Sequence, residues 1–233
     1  MIVSPAFAGK RYAVLGLARS GQATVEALVA SGAHVMAWDS REEPRQALCE
    51  WVDCGKVELA DPATADLAGY DGVVVSPGVP LNRHPIAEAA AAHGVPVIGD
   101  IELFALARGA IPAHRVVGIT GTNGKSTTTA LVQHILTSAK VPARFGGNIG
   151  VPILSTDPLP EGGVYVLELS SYQIDLTRSL DCEVAALLNI TPDHLDRYDG
   201  FESYVASKAR LFALQDKAHH AVFGTSDAET RAI

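Results

Sequence analysis

The chain has 233 residues, 48% hydrophobic and 19% charged, enough to bury one large core or two modest ones, which excludes disorder and a mini-protein scaffold. Its 18 basic and 26 acidic residues give a net charge of −8 with no basic stripe, so nucleic acid is not an expected partner. No apolar run approaches the roughly 20 residues of a membrane span, and Lys10 and Arg11 follow the short apolar start instead of preceding it, so a cytoplasmic protein is expected.

Short β-branched runs then alternate with Ala-rich helical stretches. Tyr12–Leu15 reads as a strand, Gln22–Ala30 as a helix, His34–Trp38 as a strand and Glu42–Val52 as one helix, the βαβ signature of a parallel sheet. A strand at Val73–Val75, a helix over about Pro85–His93, a strand at Val95–Ile98 and a helix at Ile101–Ala107 continue the series. Gly109 and Pro112 break it, which places a domain boundary between 1–111 and 112–233. The second series opens with a strand at Arg115–Ile119 and a helix over about Lys125–Ala139. Strands at Val164–Leu169 and Val184–Ile190, a helix near Phe201–Leu214 and a strand at Ala221–Phe223 follow. The chain then ends with neither a cap nor a closing element, the pattern of a truncated piece. Cys49, Cys54 and Cys182 form no CxxC pair and are expected to be reduced, buried thiols.

The strongest motif is Gly118-Ile-Thr-Gly121-Thr122-Asn123-Gly124-Lys125-Ser126-Thr127, set between a predicted strand and a predicted helix as a P-loop requires. Glycines let backbone N–H groups turn around a phosphate, the helix N-terminus favours an anion, Lys125 adds a cation and the Ser126 hydroxyl can ligate Mg²⁺. Ile119 stands where the strict pattern has glycine, so this is a variant, and a plain glycine turn with an exposed lysine is the competing account. The next strand ends at Glu168, a carboxylate where a Mg²⁺-holding acid would stand. The strand after it runs into Asn189-Ile-Thr-Pro-Asp-His194-Leu-Asp-Arg197, where Thr191 as N-cap and Pro192 at the first helical position would also make an ordinary helix start. Phe145–Gly150 suits close backbone approach to a ligand or a simple turn, and Lys208 reads locally as a lysine on an amphipathic helix.

Gly16-Leu-Ala-Arg19-Ser20-Gly21 is a second glycine turn, with Asp39 ending the following strand. Ala18 occupies the position where a dinucleotide fingerprint needs glycine for backbone to approach a pyrophosphate, which argues against NAD and against an oxidoreductase. A mononucleotide fits Ser20 and Asp39 better, and Ser76-Pro-Gly78 forms a third turn on the same edge. The fold expected from all this is α/β: a parallel-sheet, Rossmann-like N-terminal domain followed by a P-loop α/β central domain.

Taken together, these segments and the runs Gly99-Asp-Ile-Glu-Leu-Phe104, Gly147-Asn148-Ile-Gly150 and Glu168-Leu-Ser-Ser-Tyr-Gln173 resemble the Mur ligases, and two of the runs point to the D-glutamate-adding branch. The resemblance implies ATP-dependent amide formation between UDP-N-acetylmuramoyl-L-alanine and D-glutamate through an acyl phosphate, in cytoplasmic peptidoglycan precursor synthesis. It implies that Gly121, Thr122, Asn123, Gly124, Lys125, Ser126 and Thr127 bind ATP. Arg19, Ser20, Asp39, Ser40, Arg41, Ser76 and Gly78 would hold the UDP portion, and Asn148 with His194 the substrate nearer its carboxylate. Ser126 and Glu168 would hold one Mg²⁺, and Glu168, His194 and a carbamylated Lys208 a second. The family's third domain, which carries the D-glutamate site, is expected to lie beyond this chain. The 233 residues would then bind the UDP substrate, as a monomer, without turnover. A folylpolyglutamate synthetase-like ligase and a non-catalytic nucleotide-binding module remain alternatives.

Overall fold

The computed structural model describes residues 1–233 and divides into two compact units, Met1–Ala110 with Pro152–Asp157, and Ile111–Val151 with Pro158–Ile233. Both are α/β, and every strand pairing in both sheets is parallel.

In the first unit, β1 (Arg11–Leu15), β2 (His34–Trp38), β3 (Val57–Leu59), β4 (Gly72–Val75) and β5 (Val97–Ile98) form a sheet of order β3-β2-β1-β4-β5. The central strands β1 and β4 are nearly all buried, as strands covered on both faces must be. α1 (Arg19–Ala30) buries Val25, Leu28 and Val29, and α5 (Asp100–Ala107) is apolar enough to bury Ile101, Leu103, Phe104 and Ala107. The chain moves outward from β1 to β2 and β3, then returns to place β4 on the other side of β1. That reversal between β1 and β4 is the switch point at which open parallel sheets bind ligands, beyond the carboxyl ends of the strands.

In the second unit, β6 (His114–Thr120), β7 (Ala143–Gly147), β8 (Gly163–Glu168), β9 (Val184–Leu187) and β10 (His220–Phe223) form a sheet of order β10-β9-β6-β8-β7. α6 (Lys125–Ser138) packs Val132 and Leu136 onto Ile119, Val164 and Val166. α8 (Phe201–Ala213) sets Tyr204 and Phe212 with Leu187, Ile190 and Phe223. β10 is an edge strand, paired only with β9, and its outer residues His220, Ala221 and Val222 are exposed.

Five expectations need correction. The single helix over Glu42–Val52 is two short ones, α2 (Glu42–Gln46) and α3 (Cys49–Asp53), separated by a turn that buries Leu48. Phe145–Gly147 is not a loop but the end of β7, where the paired backbone of β8 overrides the poor strand propensity of glycine. Thr191 and Pro192 do not open a helix: the Thr191 amide is taken by Thr122 and His194 adopts a left-handed backbone (φ 52°), which an α-helix excludes. The chain's last residues are capped, since Asp227 accepts from the Thr230 amide at 2.7 Å at the start of α9 (Ala228–Ala232). Of the thiols only Cys182 is buried, while Cys49 and Cys54 are exposed on and beside the short α3. Two further elements were not evident from the sequence, β3 and α7 (Ser171–Asp175), a five-residue helix whose Ser170–Gln173 capping box is a legible signal. α4 spans Ile86–Ala92.

Candidate functional site

In the first unit the three turns leave adjacent strand ends. Gly16 follows β1, Asp39 follows β2 and Ser76 follows β4, with β1 between the other two. The Ser76 hydroxyl donates to the Gly16 carbonyl at 2.7 Å, tying the turns together across the switch point. Gly16 sits at φ +87°, and a side chain there would press on Ser76, so glycine meets both a backbone and a space requirement. Asp39 is buried, its Oδ2 accepting from the Leu17 amide at 2.8 Å and its Oδ1 from the Arg41 amide at 2.9 Å and the Arg41 guanidinium at 3.3 Å. Burial would push this carboxyl up, but the hydrogen bonds from Arg41 and Leu17 and the Arg41 charge outweigh it and hold it below its ordinary value. Its first task is therefore to shape the turn. Arg19 and Ser40 are exposed and Ser20 is half-buried at the start of α1, while Gly78 has open space where a side chain would be. Arg45, missed in the sequence, stacks on Trp38 at 4.4 Å and donates to the Asp39 carbonyl at 2.7 Å.

In the second unit β6 ends at Thr120 and the chain turns through Gly121 (φ +147°) and Gly124 (φ +82°) into α6. A Cβ on Gly121 would come within 3.1–3.3 Å of Leu188 and the Asn189 backbone, tighter than ordinary contact, so a side chain there would need the segment after β9 to give by a few tenths of an ångström. The loop after β9 clamps it. Asn189 Oδ1 accepts from the Asn123 amide at 2.9 Å while its Nδ2 donates to the Asn123 carbonyl at 3.0 Å, and the Asn189 carbonyl accepts from the Thr122 amide at 2.9 Å. The Thr122 hydroxyl donates to the Thr191 carbonyl at 3.1 Å, accepts from the Thr191 amide at 3.0 Å and lies 3.1 Å from the Tyr204 hydroxyl. Lys125 Nζ donates to the Thr122 carbonyl at 2.8 Å, so the cation lies over the loop, and Thr127 is exposed on the first turn of α6.

On the opposite side of β6, Glu168 ends β8 in register with Ile119 of β6 and Gly147 of β7. It is 1% exposed. Its Oε2 accepts from the Ser126 hydroxyl at 2.6 Å and its Oε1 from Asn148 Nδ2 at 2.8 Å, which brings three of the residues singled out in the sequence into one cluster at the mouth of the glycine turn. Gly147 makes this possible: at φ +91°, any Cβ there would stand 2.1 Å from the Glu168 carbonyl.

Lys208, on α8, is 1% exposed. Its Nζ donates to the Gly121 carbonyl at 3.0 Å and lies 4.6 Å from the centre of the Tyr204 ring. Burial, helped by the Lys125 charge and opposed by Asp193 and Asp175, lowers its pKa from 10.5 to about 7. His194 is half-exposed, 3.4 Å from Asp193 and tilted against Tyr172 at 5.2 Å. No three His, Cys, Asp or Glu side chains are grouped so as to hold a metal ion by themselves, so the oxygen donors at hand are the Ser126 hydroxyl and the Glu168 carboxylate.

The pattern of the Mur ligase middle domain matches residues 119–233, and that of the Mur ligase MurD-like N-terminal domain matches residues 10–99. The chain belongs to the Mur ligase family. It is 70% identical over 233 residues to the UDP-N-acetylmuramoylalanine–D-glutamate ligase of Novosphingobium aromaticivorans, covering all of this chain and 52% of that protein. It is 60% identical over 241 residues to the Zymomonas mobilis protein of the same name, covering all of this chain and 55% of the other. The chain thus spans about half the length of the curated relatives it matches. Among solved structures, it shares the fold of UDP-N-acetylmuramate:L-alanyl-gamma-D-glutamyl-meso-diaminopimelate ligase from Neisseria meningitides, with a TM-score of 0.59 at 20% identity over 97% of this chain and 74% of that one. The Mur ligase fold accounts for both parallel sheets. No helix is long and apolar enough to cross a membrane.

Proposed function

We propose that this chain supplies the UDP-substrate and ATP-binding parts of a D-glutamate-adding Mur ligase of cytoplasmic peptidoglycan precursor synthesis. The reaction is ATP-dependent: the carboxylate of UDP-N-acetylmuramoyl-L-alanine takes the γ-phosphoryl group of ATP, and the amine of D-glutamate attacks the acyl phosphate, releasing phosphate as the amide forms. The observation that carries this reading is the Ser126–Glu168–Asn148 cluster, 2.6 and 2.8 Å across, at the start of a 14-residue helix behind a glycine turn.

The helix start offers unpaired N–H groups and the positive end of its dipole to phosphate. Lys125 adds a cation that can swing from the Thr122 carbonyl to a phosphate oxygen. A hydroxyl beside a carboxylate is a hard-oxygen pair that fits Mg²⁺. Ser126 and Glu168 would hold that ion, which supplies charge neutralisation at the phosphates, while Asn148 keeps the carboxylate turned toward Ser126. A second ion does not fit the residues as they stand, because Lys208 presents an amine to the Gly121 carbonyl and not an oxygen to a metal. The pKa near 7 supports carbamylation of Lys208, which consumes the neutral amine and yields a carboxylate-like oxygen donor to accompany His194. In the first unit, the turns at Gly16, Asp39 and Ser76 would take the UDP portion, with Arg19, Ser20, Ser40, Arg41 and Gly78 around it. No residue here is assigned to D-glutamate, and the 233 residues are proposed to bind the UDP substrate without turnover.

Titration calorimetry with UDP-N-acetylmuramoyl-L-alanine, and separately with ATP in the presence of Mg²⁺ or EDTA, tests the two halves. Heat is expected with each ligand. Glu168→Gln should weaken the Mg²⁺-dependent part of ATP binding by about tenfold, in line with loss of a charged ligand, and leave binding in EDTA unchanged. No heat from the UDP compound removes the first half of the reading, and an unaltered Mg²⁺ dependence in Glu168→Gln removes the second.

A further inference from the structure

Residues 188–200, which include His194 and Arg197, contain neither helix nor strand. The near end of this segment is fixed by the bonds of Asn189 and Thr191 to the glycine turn. Beyond Pro192 the backbone has no such ladder, and His194 holds a left-handed conformation that non-glycine residues adopt only where surroundings enforce it. The far end is gripped through Tyr198. Its hydroxyl donates to Asp175 Oδ2 at 2.8 Å, on α7, and lies 3.3 Å from Ser207 Oγ, on α8. The Ser207 hydroxyl donates in turn to the Ser171 carbonyl at 3.0 Å, so three segments meet at one phenol.

The Tyr198 ring stacks on Tyr172 with centroids 5.8 Å apart and planes 8° from parallel. Tyr172 is also the surface against which His194 rests at 5.2 Å and over which the Arg197 guanidinium lies at 4.3 Å. On its other side Tyr198 meets Tyr204 edge-on at 5.5 Å, and Tyr204 reaches Thr122 of the glycine turn. A short turn with a strained residue is thereby pinned between two helices by one side chain.

We propose that Tyr198 is a positioning residue: held by Asp175 and stacked on Tyr172, it fixes the turn that presents His194 and Arg197 to the site. Its bearing on the reaction rests on the proposed function, which sets His194 beside a carbamylated Lys208 as a metal donor; the positioning itself does not. Asp175, as acceptor for the phenol, is the second member of the device. An amide oxygen at 175 could still accept that proton, whereas a methyl group could not.

The test uses the 233-residue chain labelled at histidine, with the His194 imidazole signal assigned by its loss in His194→Gln. Tyr198→Phe keeps the ring and removes only the hydroxyl. Its His194 signal should move away from the ring-current position set by Tyr172 toward that of freely exposed imidazoles. Asp175→Ala should repeat that movement and Asp175→Asn should restore the wild-type signal. Affinity for Mg²⁺ and ATP should fall about fivefold in Tyr198→Phe and Asp175→Ala, the factor one ordinary hydrogen bond commands in an equilibrium. A His194 signal that coincides with wild type in Tyr198→Phe, or Asp175→Asn behaving like Asp175→Ala, overturns the proposal. Should Tyr198→Phe not fold, the two Asp175 variants decide alone. If the wild-type chain binds no ATP, the functional reading fails while the imidazole signal still settles the positioning.

Discussion

Replacing Lys208 by methionine should make the protein more stable at neutral pH, against the usual outcome for a buried, hydrogen-bonded residue. The amine is 1% exposed, and its pKa falls from 10.5 to about 7 because burial disfavours the ammonium and Lys125 repels it. At about 1.4 kcal/mol per power of ten in proton affinity, burying this group at pH 7 costs about 4 kcal/mol relative to a lysine that keeps its ordinary pKa. Methionine fills similar space without the charge, but leaves the Gly121 carbonyl without its donor, a loss of roughly 1–2 kcal/mol. The net gain is about 2 kcal/mol, or roughly 6 °C in thermal midpoint for a unit of this size. The sign with pH follows from proton counting. Between pH 7 and 10.5 the unfolded chain holds a proton that the folded one has lost, so wild-type stability climbs with pH in that window. The variant lacks the climb, so the gap should close by about pH 9 and reverse above it, where the neutral lysine keeps its bond to the Gly121 carbonyl. Calorimetric melting in CO2-free buffer at several pH values measures it. A Lys208→Met midpoint below wild type at pH 7, or a gap that ignores pH, would refute the argument that a strained ammonium occupies this position. In ¹³C-bicarbonate the same neutral amine should yield a carbamate carbonyl signal that Lys208→Met lacks.

Two other outcomes follow from the strand ends. Gly147→Ala puts a methyl 2.1 Å from the Glu168 carbonyl at φ +91°, and should lower stability by about 3 kcal/mol in urea unfolding while weakening Mg²⁺-dependent ATP binding. Tolerance of this change with under about 1 kcal/mol lost means that β7 and β8 can part at low cost. Asp39→Asn leaves either the buried Leu17 amide or the part-buried Arg41 amide facing an NH₂ group, a cost of about 2 kcal/mol at pH 7. The wild-type advantage is fully present above the ordinary carboxyl value of 3.8 and is lost as pH falls through the lower folded value, so the two proteins should converge in acid. Denaturant midpoints at pH 7 and in strong acid read this out, and an equal gap at both contradicts the assignment of the carboxylate to the turn.

The strands whose side chains face core on both sides, such as Val73–Val75 and Val164–Leu167, stand out in the sequence because burial itself makes them continuous apolar runs. The glycine turn and its Lys-Ser pair are equally plain, because local backbone needs dictate those residue types. What stayed hidden depends on partners far along the chain. β7, Ala143–Gly147, is a strand because β8 supplies its hydrogen bonds, and Glu168 needs its glycine. Thr191-Pro192 carries every local mark of a helix start, but the Thr191 amide finds Thr122 instead. Asn189 reads as one more polar residue after a strand until its amide is seen across from Asn123. Lys208 has an unremarkable helix around it, and only packing against the glycine turn removes it from water.

The outer side of β10 has a consequence for handling the molecule. Val222 is 53% exposed there beside His220 and Ala221, and the strand has no neighbour beyond β9. Such a row of open amides and carbonyls is a template on which another chain can add itself, and no lysine, proline or bulge blunts it. Concentrated solutions should therefore drift toward oligomers growing sideways from this rim, and a lysine in place of Val222 is the substitution that would keep the protein dispersed.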